Sequence, residues 1–362
     1  MYKIFSTFTG AGGLDIGFHG GFKFLNKNYK RLKFKTTYAL EYNADAIQSL
    51  NYNKKYFSET KLIHKDITED IDNELKKYEK NEIDVLLGGF PCVTFSVVGK
   101  QKGITDDING KLYESYAKYL GHLQPKVFVA ENVKGILSAN KGEAVKIIKE
   151  RFEIDGYNLK IFLVNFADFG VPQKRERVLF IGVRKDINIE FIPPEFTNKN
   201  NHVSSQEAFL KMPTDCRHTI PLKVSKKVTE RLQHISEGGN YKDVEGTEYA
   251  VKGLMSNIYR KLQRDKPSYT VIASGGGGTW GYHFDEPRPL TNRERARLQS
   301  FPDDFDFQGN TTEVRRQIGN AVPPVGIYPF AERIQNVLDG KTPIKTKNCI
   351  KEYDIKTKKV KD

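Results

Sequence analysis

Up to Arg184 the chain alternates short apolar runs with longer polar stretches, and no other feature restricts the fold as much. "YKIFSTF", "TTYALE", "DVLLGGF", "KVFVAEN", "LKIFLVNFADFGV" and "RVLFIGVR" read as successive strands. Between them, "NADAIQSLNYNKKY", "LYESYAKYLGHL" and "KGEAVKIIKERFEIDG" have the spacing of amphipathic helices. Short apolar strands separated by helices predict an α/β fold with a doubly wound, mostly parallel sheet. Ligands of such sheets gather beyond the carboxyl ends of the strands, so residues at those ends carry the functional hypotheses.

After Arg184 the texture changes. From about Lys185 to Glu286, "EFIPPEFTNKNNHVSS", "ISEGGNYKDVEGTEY" and "ASGGGGTWGYH" are rich in turn formers and lack sustained periodicity. "LTNRERARLQSFPDDF" restores a helical pattern, and "PVGIYPFAERIQNVL" reads as a final amphipathic helix. The expected organisation is a main domain over 1–185 completed by 315–340, a smaller irregular domain over 186–314, and a tail over 341–362. Eight lysines against three acids in those last 22 residues predict a frayed tail.

No run reaches the apolar length needed to span a bilayer, and "MYKIFSTFTGAGG" lacks a signal peptide's cleavage pattern, so a soluble, cytoplasmic protein is expected. The three cysteines, Cys92, Cys216 and Cys349, are widely spaced, which supports neither a disulfide framework nor a metal site. A net charge of +13 suits a polyanionic partner. Charge alone leaves a merely solvated basic face equally open.

The chemistry concentrates at strand ends. "FSTFTGAGGLDIGF" sets glycines 10, 12, 13 and 17 where the first strand turns into a helix, so backbone amides can approach a ligand. A dinucleotide fingerprint would need glycine at position 15, where Asp15 stands, and the NAD reading loses its main support. Glu41, ending "YALE", is placed to accept ribose hydroxyls. In "GGFPCVTFS", Pro91 stiffens the approach to Cys92, and the following loop to Lys111 holds Gly99, Gly103 and Gly110. "FVAENVKG" puts Glu131 and Asn132 at a further strand end, and "VPQKRERVLFIG" puts Arg175 and Arg177 at the start of another. A thiol, a carboxylic acid and guanidinium donors in one crevice suit nucleophilic attack on a conjugated ring with an acid ready to protonate it.

The ordered series "FTGAGGLDIGF", "GGFPCVTFS", "AENVKG", "QKRERV", "RPLTNRERARLQSFPDDF" and "IGNAVPP" resembles the C5-cytosine DNA methyltransferase family from about residue 4 to 335, leaving only about 186–265 without a shared pattern. The resemblance implies a Rossmann-like fold and S-adenosylmethionine as methyl donor, with S-adenosylhomocysteine as product. It implies a cofactor site of Phe8, Gly10, Ala11 and Gly13, with Glu41 on the ribose, Asp66 and Ile67 near the adenine, and Gly89, Pro91, Leu112, Asn320 and Val322 completing the walls. It further implies catalysis by Cys92 adding to C6 of a flipped-out cytosine, with Glu131 and Arg177 on the ring and Pro91, Asn132 and Arg175 beside them. Ser96, Gln173 and Arg175, the last on a phosphate, are implied to meet duplex DNA.

The unmatched region is read as the target-recognition domain, where basic residues, aromatics and four successive glycines suit close approach to a groove. There Arg260, Arg264, Thr270, Gly275 and Gly276 are expected to face DNA. Val93 stands where the family has glutamine, and Asn109 where it has arginine. "NKNYKRLKFK" reads as an inserted basic surface loop. A monomer that protects host DNA from a cognate endonuclease is expected, with a tRNA cytosine-C5 methyltransferase and a catalytically silent DNA-binding regulator as rival readings.

Overall fold

The structure, a computed structural model, describes residues 1–91, 108–251, 258–273 and 281–361. Its strands are β1 (Tyr2–Thr7), β2 (Phe22–Phe24), β3 (Lys27–Tyr29), β4 (Phe34–Glu41), β5 (Lys61–His64), β6 (Val85–Gly88), β7 (Val127–Val133), β8 (Tyr157–Asn165), β9 (Glu176–Arg184), β10 (Tyr353–Asp354) and β11 (Lys359–Val360). The helices of the first half are α1 (Gly13–His19), α2 (Ala44–Tyr52), α3 (Lys54–Phe57), α4 (Ile71–Leu75), α5 (Ile108–Leu123) and α6 (Glu143–Ile154). Beyond them come α7 (Ser205–Phe209), α8 (Lys226–Gln233), α9 (Asn292–Leu298), α10 (Thr311–Asn320) and α11 (Pro324–Leu338).

Seven strands form one sheet in the order β5-β4-β1-β6-β7-β9-β8. From β5 to β7 the pairings are parallel, while β9 runs antiparallel to both its neighbours. Both faces are covered, which is why the strands read as continuous apolar runs. Ile4, Val85, Leu87, Val127 and Val129 join a cluster that includes residues of α1 and α11. Their chain neighbours Phe5, Leu86, Phe128 and Ala130 face the opposite cluster, with α4, α5 and α6. Gly17 lets α1 lie against α11, since a Cβ there would stand 2.1 Å from Ile327 Cγ2. The Tyr2 hydroxyl donates to Asp339 Oδ1 at 2.7 Å, so the start of the chain and the end of α11 are neighbours.

Four local expectations are revised. The predicted helix over "NADAIQSLNYNKKY" breaks at Asn53 into α2 and α3, and the strand "LKIFLVNFADFGV" ends at Asn165 in a short 3-10 turn. The loop "NKNYKRLKFK" is half core: Lys27–Tyr29 pairs with Phe22–Phe24, and Tyr29, Leu32 and Phe34 are buried. The tail is tied down. Phe196 N–H donates to Asn348 O and Ile350 N–H to Pro194 O, both at 3.0 Å, and Cys349 and Ile350 are buried. Tyr353 and Ile355 then pack on the second cluster, and Lys358 Nζ reaches Lys141 O at 3.3 Å. Removing residues 341–362 is expected to lower unfolding free energy by about 2–4 kcal/mol from the lost apolar burial, read from urea denaturation. An unchanged midpoint would mean that these contacts contribute nothing.

Between residues 186 and 290, Leu232, Ile235, Val244 and Tyr282 form a small cluster of their own. Ala208, Leu262, Val271 and Phe284 belong instead to the main core, so this region is anchored to that core on both sides of its own small cluster.

Candidate active site

At the carboxyl ends of β1, β4, β6 and β7 lies a cavity of about 400 Å³, beside the point where strand order reverses around β1. Phe8 leaves β1 with φ at 52°, an uncommon conformation for a non-glycine residue, and starts the turn into α1. Glu41 closes β4 and is 6 % exposed. Its Oε2 accepts the Gly10 N–H and its Oε1 the Asn43 N–H, both at 2.8 Å. Burial raises the Glu41 carboxyl against the lowering effect of those amides. Each oxygen keeps a lone pair for a further donor.

Glu131 and Arg177 come from the antiparallel strands β7 and β9, where Glu131 faces Leu179 and Arg177 faces Val133, so the two lie diagonally across the pair. Arg177 Nε lies 2.9 Å from Glu131 Oε1, both side chains being largely buried. Oε1 has no aligned hydrogen bond, so the contact is an ion pair with lone-pair capacity left over. Asn132 is clamped differently. Its Nδ2 donates to Phe90 O at 2.9 Å and its Oδ1 accepts Val133 N–H at 2.8 Å, fixing the backbone just before Pro91. Both polar atoms of its side chain are thus committed to backbone.

Of the expected cofactor residues, Phe8, Gly10, Gly13, Glu41, Gly89, Pro91, Asn320 and Val322 line this one cavity. Ala11, Asp66, Ile67 and Leu112 do not: Ala11 and Ile67 are buried in the core, Leu112 packs against it, and Asp66 Oδ1 is occupied by the Thr68 N–H and hydroxyl. Tyr42, Asn43, Arg316 and Gln317 line the cavity and were not anticipated. The first two directly follow Glu41, which is the signal that could have found them.

Two expected DNA contacts are corrected. Gln173 is fully buried, its Oε1 accepting Val271 N–H at 2.7 Å and its Nε2 donating to Leu298 O at 3.1 Å. Arg175 is 1 % exposed and donates to Val271 O at 3.2 Å and Gly319 O at 3.0 Å. Burial and the neighbouring Arg177 charge push its guanidinium down to about 9. Neither side chain is presented to a phosphate. Arg260 stacks on Tyr269, its guanidinium carbon 3.3 Å from the ring centre. Arg264 is held by Glu237 and Asp285 at 2.8 Å each, and the Thr270 hydroxyl donates to Lys174 O at 2.7 Å. Cys92, Ser96, Gly275 and Gly276, with Val93, lie outside the described residues.

Beneath the glycine turn runs a buried polar chain. Ser6 Oγ donates to Asp15 Oδ2 at 2.9 Å, Thr36 Oγ1 to Asp15 Oδ1 at 2.7 Å, and Thr36 N–H to His19 Nε2 at 3.1 Å. Burial raises Asp15 from 3.8 to about 6, while burial and the Arg31 charge lower His19 from 6.5 to about 3. The two act on stability with opposite signs. As pH falls below 6.5 the unfolded chain protonates at His19 before the folded one, so that contribution is lost toward pH 3. Asp15 keeps its proton longer when folded, so its contribution is present below 3.8 and lost as pH rises through 6. Between about pH 4 and 6 the slopes, each up to ~1.4 kcal/mol per pH unit, oppose one another. Relative to the unmodified chain, Asp15→Asn is expected to gain stability as pH rises through this window and His19→Gln to lose it. Urea midpoints across the window check this, and parallel profiles would contradict it.

Among the described residues no cluster of acids, histidines and cysteines could hold a metal, and no helix is long and apolar enough to cross a membrane. The chain is 44 % identical over 345 residues to the type II methyltransferase M.NgoFVII of Neisseria gonorrhoeae, covering 92 % of this chain and 86 % of that protein. It is 41 % identical to the type II methyltransferase M.BbvI of Brevibacillus brevis, covering 90 % and 89 %. Among solved structures, a prophage-encoded protein from E. coli superposes with a TM-score of 0.70 at 22 % identity, covering 94 % of this chain and 100 % of that one. The DNMT2 of Spodoptera frugiperda gives 0.65 at 15 %, covering 92 % and 99 %. At such identities these two show the fold alone. Residues 2–336 match the family described as C-5 cytosine-specific DNA methylase, and the chain belongs to that family.

Proposed function

We propose that this chain transfers a methyl group from S-adenosylmethionine to C5 of a cytosine flipped out of a specific duplex DNA sequence, through a covalent bond between Cys92 and C6. The observation that carries the reading is the buried Glu131–Arg177 pair opening into the same cavity as Glu41 and the Gly10 turn. The walls suit the cofactor. The Glu41 carboxylate, tethered by two amides with lone pairs to spare, matches a ribose diol, and the first turn of α1 brings backbone close enough for a methionine moiety. When bound, the cofactor supplies an electrophilic methyl group.

The residues of the chain do the rest. Cys92 thiolate adds to C6, and the C5–C6 π electrons move toward C5. Glu131, protonated or sharing a proton with N3, stabilises the charge that develops on the ring, and Arg177 faces the O2 side. C5 takes the methyl group, leaving S-adenosylhomocysteine; water takes the C5 proton, and the electrons of that C–H bond restore the C5–C6 double bond as Cys92 leaves as thiolate. Since C6 is unreachable within a stacked duplex, the base is extruded at a cost of about a few kcal/mol. Arg260, Arg264 and Thr270, all partly exposed, with Gly275 and Gly276, are proposed to meet DNA, and residues 186–314 to form the recognition domain. The type II methyltransferases among its relatives support a role as the protective partner of a type II restriction endonuclease; a cytoplasmic, monomeric chain is proposed with that role.

Incubating the protein with labelled S-adenosylmethionine and either duplex DNA or tRNA tests the reading. Label is expected in DNA. Transfer to tRNA alone would replace the substrate, and transfer to neither would favour a silent DNA-binding protein.

A further inference from the structure

Gln173 and Arg175 both grip Val271, one by its N–H and the other by its carbonyl. Each also reaches the wall of the cofactor cavity. Arg175 donates directly to Gly319 O, while Gln173 donates to Gln299 Oε1, and Gln299 Nε2 donates in turn to Ala321 O. Gln173, Arg175 and Gln299 are all essentially excluded from solvent. The strap 268–273 is thus joined to residues 319–321 by two parallel hydrogen-bonded links. It is also packed against them: a Cβ on Gly319 would stand 2.2 Å from Ala273 N. Along its other side Ser268 N–H donates to Pro172 O and Lys174 N–H to Ser268 O. The strap carries Tyr269, on which Arg260 stacks, and Thr270.

Resting on the function proposed above, we infer that Gln173, Arg175 and Gln299 are positioning residues that couple cofactor occupancy to DNA recognition. A cofactor seated against Gly319, Asn320 and Ala321 orders the carbonyls that hold Arg175 and Gln299. These fix Val271 and, with it, the surface that DNA meets. Buried polar links transmit such ordering because any displacement at one end leaves a donor or acceptor unpaired at the other. Linkage makes the effect reciprocal: S-adenosylhomocysteine tightens DNA binding by the same factor as DNA tightens the cofactor product.

Two measurements on the full chain test this, with Arg175→Met and Gln299→Met cutting the two links separately and Arg175→Lys as the conservative control. In hydrogen exchange without DNA, saturating S-adenosylhomocysteine is expected to slow amides of residues 268–273 about fivefold or more in the unmodified chain. Met variants that still bind S-adenosylhomocysteine should lose most of that protection, with partial rescue by lysine. In the second measurement, the Kd of a duplex that accepts label is taken with and without S-adenosylhomocysteine, and the ratio should fall toward one in the Met variants. A general loss of stability would shift both Kd values and leave the ratio intact. Absence of strap protection in the unmodified chain, or equal protection and equal ratios in all variants, would overturn the inference. A chain that shows strap protection yet methylates no DNA would defeat the functional reading and leave standing only the link between cofactor and strap.

Discussion

Glu131→Gln is expected to lower the methyl-transfer rate by roughly 10²–10³-fold, the usual cost of removing a group aimed at charge that develops in a transition state. The Glu131 carboxylate pairs with the Arg177 guanidinium in a largely buried setting, and it retains capacity to share a proton with the ring. A glutamine keeps the shape and loses both the charge and the transferable proton. The Arg177 charge would then stand unpaired at 13 % side-chain exposure, so a fall in thermal stability should accompany the loss of rate. Cofactor affinity should change little, because Glu41 and the glycine turn are held by other contacts. Single-turnover rates and S-adenosylhomocysteine titration separate the two effects. Loss of affinity with an unchanged rate would move Glu131 from the reaction to the cofactor.

Cys92→Ser is expected to reduce transfer by roughly 10³-fold or more, since a neutral hydroxyl cannot replace a thiolate as the attacking group. A duplex carrying 5-fluorocytosine at the target gives the mechanism a second readout. Fluorine at C5 cannot leave as a proton does, so the unmodified chain should accumulate a covalent complex stable to denaturation, and the serine variant should not. Ordinary turnover on the fluorinated duplex would remove Cys92 from the proposed mechanism. Asn132, through the Phe90 carbonyl it holds, is proposed to support this step by fixing the backbone before Pro91.

The strands were legible where both faces are covered. β1, β6, β7 and β9 consist largely of buried residues, and burial on two sides demands unbroken apolar runs. β5 went unnoticed because Lys61–His64 sits at the sheet edge with exposed ends and leaves no such run. Six of the eight residues that share the cavity wall sit at strand ends or in the first glycine turn, while Asn320 and Val322, at the end of α10, were readable only through the family resemblance. Gln173 and Arg175 were misread for a physical reason. Polar side chains in a motif suggest a ligand, and only the folded chain reveals that their acceptors and donors lie 96 to 144 residues away, at Val271, Leu298 and Gly319. The tail was misjudged likewise: lysines predict solvation, yet the few apolar residues between them, Cys349, Ile350, Tyr353 and Ile355, pack against the body.

The hydrogen bond between Tyr2 and Asp339 has a consequence for how such a protein can be encoded. A short peptide joining those neighbouring positions would close the catalytic body into a ring without moving any wall of the cavity. A new pair of termini opened in an exposed turn elsewhere would then leave the same residues facing one another. The order in which the motifs follow one another along the chain is therefore a property of the gene, and the reaction depends only on their arrangement in space.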